Sequence, residues 1–266
     1  MLAEWFKHLA TACPPHLKAM GYLRELIAIE ARHRRCRRAW APHLAHCRRL
    51  ILKAAEGIGH KRVTVLGSGL LLDVPVDELA ALFDEVVLVD VFHMPAVEKR
   101  LRGRANVRLL AQDMSGLIEA TYRHVNEGRG GPLPPPQADA GPLASSDLVV
   151  SANVLTQLPL MPVAWVREKG RGYDEPATKA FARRIVEHHL DLLAALPGRV
   201  CLLTETKRMV VDGPDVLHDI DPLFGAAFPY RGRQWTWDIA PRPELSRRYD
   251  LRFRMTGISD LDAARP

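Results

Sequence analysis

Five short apolar segments, each separated from the next by a helical pattern, constrain this chain more than any other feature. They are "RVTVLGSG" (62–69), "EVVLVDV" (85–91), "NVRLLAQDM" (106–114), "SDLVVSANV" (146–154) and "GRVCLLTETKR" (198–208). Between them lie "VDELAALF", "AVEKRLRG", "SGLIEATYRHV" and the long "TKAFARRIVEHHLDLLAALP". In the last, Phe181, Ile185, Leu192 and Leu196 share a face, Pro176 precedes it and Gly198 follows. Strands that are apolar throughout, instead of alternating, are buried on both faces. Alternation with helices therefore implies an α/β fold with a mostly parallel sheet covered on both sides.

Two further strand-like runs, "RQWTWDI" and "YDLRFRMTGIS", lie close together near the end. Such a pair is expected to be antiparallel. Residues 1–58 read as helical. Leu23, Leu26, Ile27, Leu44, Leu50 and Ile51 recur at three- and four-residue steps, and Pro42 is expected to break or kink the run. The expected organisation is an N-terminal helical lid over 1–58 and a sheet domain over 59–266. The segment 126–146, rich in Pro, Gly and Ala and without periodicity, reads as a flexible exposed insertion.

The formal net charge is +6, which raises nucleic acid as a partner. Of the 37 basic residues, however, only 8 are lysine. So strong a skew to arginine often reflects base composition, which weakens that inference. Cys13, Cys36, Cys47 and Cys201 are too widely spaced for a disulfide framework. His33, Cys36, His43, His46 and Cys47 match no zinc signature, and no metal is expected. The sequence has no apolar run of spanning length and no signal-peptide pattern, so a cytoplasmic protein without a membrane partner is expected.

In an open parallel sheet, ligands bind outside the carboxyl ends of the strands. The first strand ends at Gly67-Ser68-Gly69, where glycine permits close backbone approach. A dinucleotide site would want a further glycine at Leu72, and Pro75 delays the following helix. The second strand ends in Asp90 and Val91, 23 residues after Gly67, where a carboxylate can accept from both ribose hydroxyls. The third ends in Asp113, able to meet an adenine amino group, with Met114 beside it. The fourth ends at Asn153. Four polar strand ends without a phosphate cradle call for a nucleoside lacking phosphates.

These residues make the stretch from Lys61 to Arg208 resemble the class I S-adenosylmethionine-dependent methyltransferases, a Rossmann-like family. The resemblance implies S-adenosyl-L-methionine as cofactor. Gly67, Ser68 and Gly69 would lie against its amino-acid part, Asp90 and Val91 at the ribose, and Asp113 and Met114 at the adenine. Asn153 belongs to the fourth-strand segment. Val65 stands where the family often has an acid, and Leu71 where its turn has a third glycine.

Methyl transfer from a sulfonium needs mainly alignment, so the sequence names no catalytic residue. Gln157, Trp165, Tyr173 and Glu205 are the expected substrate wall. "SANV" stands where amino-methylating enzymes of bases and glutamine carry Asn-Pro-Pro-aromatic, which points toward a small-molecule acceptor. An RNA methyltransferase using the basic N-terminal helices, and a nucleoside-binding module without catalysis, stay open.

Overall fold

A computed structural model describes residues 2–265. Four helices come first: α1 (Leu2–Ala10), α2 (Pro15–Met20), α3 (Tyr22–Arg35) and α4 (Arg37–Ala54). The alternating region follows as β1 (Arg62–Leu66), α5 (Val76–Leu82), β2 (Glu85–Asp90), α6 (Pro95–Leu101), β3 (Val107–Ala111), α7 (Ile118–Asn126), β4 (Leu148–Ala152), α8 (Leu160–Lys169), α9 (Glu175–Ala194) and β5 (Arg199–Asp212). The chain closes with β6 (Asp215–Ile220), β7 (Arg233–Ala240) and β8 (Asp250–Ile258). No described helix is long and apolar enough to cross a membrane.

The sheet order is β3-β2-β1-β4-β5-β8-β7, and β6 pairs with the outer half of β5. Strands β1 to β5 are parallel, while β8 runs antiparallel to both β5 and β7. This is a Rossmann-like doubly wound sheet with an antiparallel end. Strand order reverses between β1 and β4, which opens a crevice at their carboxyl ends. The β5–β6 hairpin was not legible in the sequence. It turns at Gly213, in the left-handed region, and every residue of β6 is exposed.

Each face of the sheet is covered, as continuous apolar strands require. Val63, Val65, Val86, Leu88, Leu148 and Val150 point to one side, where α4, α5 and α6 supply Leu50, Ile51, Leu79 and Val97. Val87, Val89, Val149 and Leu202 point to the other, under Val125 of α7, Val166 of α8 and Phe181 and Ile185 of α9. Helix α4 is therefore a structural layer of the sandwich, and α3 joins the same layer through Leu23 and Ile27.

Pro42 does not end a helix. Helix α4 runs through it, and the break falls at Cys36. Pro42 and Arg38, whose carbonyl loses its helical partner, are both exposed, so water can replace the missing hydrogen bond. The segment 126–146 lies against the body. Leu133 and Leu143 are buried in the core under α7 and α9, and Gln137 N donates to Ser115 O at 3.0 Å. Its apolar residues, spaced without period, still find a core to join.

Candidate functional site

The turn after β1 is built by three left-handed residues: Gly67 (φ 75°), Gly69 (φ 49°) and Leu71 (φ 56°). Gly67 N and Ser68 N both donate to Val89 O, at 3.0 and 3.1 Å, which pins the turn to the end of β2. The two glycines serve different purposes. A Cβ on Gly67 would meet Val154 Cβ at 2.6 Å, so this glycine is needed for contact with the segment after β4. A Cβ on Gly69 would meet only Gly67 O, at 3.9 Å, so here the space is open and the dihedral makes the demand. Leu71 keeps the left-handed backbone that a third glycine would adopt, and its buried side chain anchors the turn.

Asp90 closes the other wall. Its Oδ2 accepts from Gly69 N at 2.7 Å and its Oδ1 from Val91 N at 2.8 Å. Burial raises its pKa, and the Gly69 hydrogen bond opposes the shift. Tyr22, at the start of α3, faces the same end. Burial, then the Asp113 and Asp90 carboxylates, hold its phenol well above the usual range.

Asp113 is spent on its own loop. Its Oδ1 accepts from Ser115 N (2.8 Å) and Ser115 Oγ (2.6 Å), and its Oδ2 from Ile118 N (2.8 Å) at the start of α7. Met114 is buried in the core. Neither lines the cavity at the carboxyl ends of the strands. Their place at the end of β3 is as the sequence implied; their side chains turn inward because α7 needs a cap and the core needs filling.

A cavity of about 320 Å³ opens at the crevice. One end is lined by Gly67, Ser68, Gly69, Asp90, Val91, Tyr22 and Ile118, the other by Glu205, Arg208, Trp40, Trp237, Phe253 and Met255. Asn153 lies between. It is left-handed (φ 55°), and its amide donates to Asp73 Oδ2 at 2.6 Å and to Cys47 Sγ at 3.7 Å. Burial raises the Asp73 pKa, with the Asn153 hydrogen bond opposing it. His43, Cys47 and Asp73 bring ligand atoms within 4.8 Å of one another. The set is internally bonded: Asn153 occupies both Asp73 and Cys47, and His43 Nδ1 accepts from Trp235 Nε1 at 3.1 Å. Burial lowers the His43 pKa to about 3, so its ring is neutral. These groups latch α4 to the turn after β1.

Of the expected substrate wall, Gln157 and Glu205 line the cavity. Tyr173 does not: its hydroxyl pairs with His124 Nε2 at 2.6 Å and donates to Gly131 O at 2.9 Å, fastening the 126–146 segment. Trp165 stacks on Tyr122 instead, with centroids 5.5 Å apart. Glu205 is 5% exposed. Its Oε1 accepts from Thr156 Oγ1 at 2.7 Å and from Arg208 through both Nε, at 3.0 Å, and Nη2. A regular strand would send Glu205 and Arg208, three apart, to opposite faces. The β5–β8 register shifts between Glu205 and Lys207, and this bulge brings both into one cavity.

Tyr22, Trp40, Thr156, Arg208, Trp237 and Phe253 were missed as site residues. Trp235 and Trp237 alternate along β7, a period-two signal that was legible. The bulge was not.

No family model matches the chain, and neither does any curated protein. Solved structures give distant likenesses. One is the 1,6-didemethyltoxoflavin-N1-methyltransferase of Burkholderia thailandensis with 1,6-didemethyltoxoflavin and S-adenosylhomocysteine bound. It is 15% identical, with 93% of this chain and 92% of that chain covered and a TM-score of 0.40. Another is the N-methyltransferase NodS of Bradyrhizobium japonicum with S-adenosylhomocysteine, at 13% identity, 96% of each chain and a TM-score of 0.37. A third is the 23S rRNA methyltransferase ErmE, at 12%, 82% and 69% coverage, and a TM-score of 0.30.

Proposed function

We propose that the chain is an S-adenosylmethionine-dependent methyltransferase acting on a small molecule. The observation that carries this is the pairing of Gly69 with Asp90 at a cavity whose buried polar atoms lack partners. Ser68 Oγ and Asn153 Oδ1 are buried without a hydrogen bond among the described residues, and both residues line the cavity. Buried polar groups are normally satisfied, so these await a ligand. The cofactor fits them. Ser68, Gly69 and Asn153 would hold its amino-acid part, Asp90 and Val91 its ribose, and Tyr22 with Ile118 the base. Asp113 would act there through the loop it braces.

The site fits a pyrophosphate badly. Helix α5 begins only at Val76, after Pro75, and its first turn carries Asp77 and Glu78, which repel phosphate. This disfavours a nicotinamide dinucleotide. Bound cofactor supplies a methyl group on a positively charged sulfur; the chain's own residues orient the acceptor and exclude water.

The cavity continues past Asn153 to Glu205 and is not filled by side chains, which supports catalysis over mere nucleoside binding. Helices α3 and α4 roof it, through Tyr22, Glu25, Ile29, Trp40 and Leu44. A roofed cavity suits a small acceptor better than a base in a polymer. We further propose that α3 is the movable part of this roof. The test is thermal: S-adenosylhomocysteine in excess should raise Tm, because ligand stabilises the state that binds it, while NAD should not. The reverse pattern would overturn the reading.

A further inference from the structure

Glu205 lines the cavity and carries one carboxylate oxygen without a partner among the described residues. Its Oε1 is occupied by Thr156 and Arg208, but its Oε2 is buried and has no partner among the described residues. Trp237 Nε1 is likewise buried without an acceptor. Two residues that line one cavity thus carry an unmet acceptor and an unmet donor.

Trp40, His43, Trp237 and Phe253 line the cavity and pack on one another. Trp40 meets Trp237 edge-on at 4.9 Å, Trp237 meets Phe253 at 5.8 Å and 88°, and the His43 ring stacks on Trp237 at 3.8 Å. The Arg208 guanidinium lies 5.3 Å over Phe253. An aromatic lining favours a flat, polarisable guest. Charge narrows the choice. Arg208 already neutralises Glu205, so an ammonium would find no net negative charge, whereas a neutral N–H finds an acceptor.

Resting on the methyltransferase reading, we infer that the methyl acceptor is a planar heteroaromatic N–H compound, and that Glu205 binds this N–H and takes its proton. The ring nitrogen forms the N–C bond as the C–S bond breaks, and that electron pair stays on sulfur as a neutral thioether. The N–H proton passes to Glu205 Oε2, and the carboxyl later releases it to water. A sulfonium and a carboxylate become two neutral groups, so charge balances. The product lacks the N–H that Glu205 binds, which favours release.

The test is binding to the full chain in the presence of S-adenosylhomocysteine, read by tryptophan fluorescence quenching and ligand-observed NMR. The probes are benzimidazole, indazole and lumazine, their N-methyl derivatives, and cyclohexylammonium. At least one N–H ring should bind, with its N-methyl derivative about 10- to 100-fold weaker. Glu205→Gln should reduce that gap to about threefold or less, because its carbonyl is drawn to Arg208 and Thr156 and its NH₂ then faces the ring N–H. The wild-type N–H to N-methyl ratio decides the matter even if that variant fails to fold. Equal binding of N-methyl derivatives, preference for cyclohexylammonium, or no binding by any N–H ring would overturn the inference. S-Adenosylhomocysteine affinity is measured first. If it is absent while the N–H preference stands, the methyltransferase reading fails and the pocket assignment survives. If it is present without that preference, only this inference fails.

Discussion

Gly69 N donates to Asp90 Oδ2 at 2.7 Å, tying the left-handed turn after β1 to the end of β2. Asp90 thus organises the turn before it can meet a ligand. Asp90→Ala should cost about 2–4 kcal/mol of S-adenosylhomocysteine affinity, about 30- to 1,000-fold, from lost ribose hydrogen bonds and a loosened turn. Asp90→Asn should lose nearly as much, since its NH₂ must face one of two backbone N–H donors. Asp113→Ala, by contrast, should lower Tm by several degrees through the lost α7 cap and weaken affinity far less than Asp90→Ala, through the loosened loop before Ile118. Wild-type affinity in a folded Asp90→Ala would reduce Asp90 to a turn cap.

The two glycines separate stability from binding. Gly67→Ala places a Cβ 2.6 Å from Val154 Cβ at φ 75° and should destabilise by more than about 2 kcal/mol. Gly69→Ala meets open space and should cost only about 1–2 kcal/mol of backbone strain. It should, however, weaken the ligand at least tenfold, because the methyl occupies its approach. Urea unfolding and ligand titration of both variants check this. Equal behaviour of the two would contradict the division.

How much of this was legible follows from how local each feature is. Strands β1 to β5 and the β7–β8 pair declare themselves by continuous apolar runs between breakers, and the ends at Gly67, Asp90 and Asn153 follow from the same reading. The direction of a side chain at a strand end is not local. Asp113 and Met114 stand where the resemblance implies, yet turn to α7 and the core. Glu205 and Arg208 share a cavity only through a bulge that pairing with β8 creates. Tyr22 and Trp40 reach the site because α3 and α4 pack over the sheet, which periodicity cannot place.

Buried imidazoles give an acid signature. Burial lowers the His189 pKa from 6.5 to about 4, and Ser151 Oγ lies 3.0 Å from its Nε2. The unfolded chain therefore takes up a proton that the folded chain refuses. The stability this group confers is full above pH 6.5 and is lost as pH falls toward about 4, with a slope of up to about 1.4 kcal/mol per pH unit. His43, lowered to about 3, adds the same sign. Asp73 and Asp90, whose pKa values are raised, oppose it at the acid end. His189→Gln should flatten the slope measured by urea unfolding from pH 7 to pH 5. An unchanged slope would contradict the assignment.

Glu244 fastens the roof. Its carboxylate takes a two-pronged hydrogen bond from Arg35, Nε at 2.8 Å and Nη2 at 2.6 Å, with Arg32 Nε at 3.6 Å. This ties α3 to the loop between β7 and β8. Arg35 is half-exposed, so the link is worth about 1 kcal/mol. Glu244→Gln should speed S-adenosylhomocysteine release about fivefold in stopped-flow fluorescence, with little change in Tm. Unchanged release would mean that α3 does not gate the cavity.

Calorimetric titration of the full chain with S-adenosylhomocysteine and, separately, with NAD distinguishes a methyltransferase site from a dinucleotide site. One saturable site for S-adenosylhomocysteine is expected, lost in Asp90→Ala, and no heat of binding with NAD. Saturable NAD binding with no S-adenosylhomocysteine signal would contradict it.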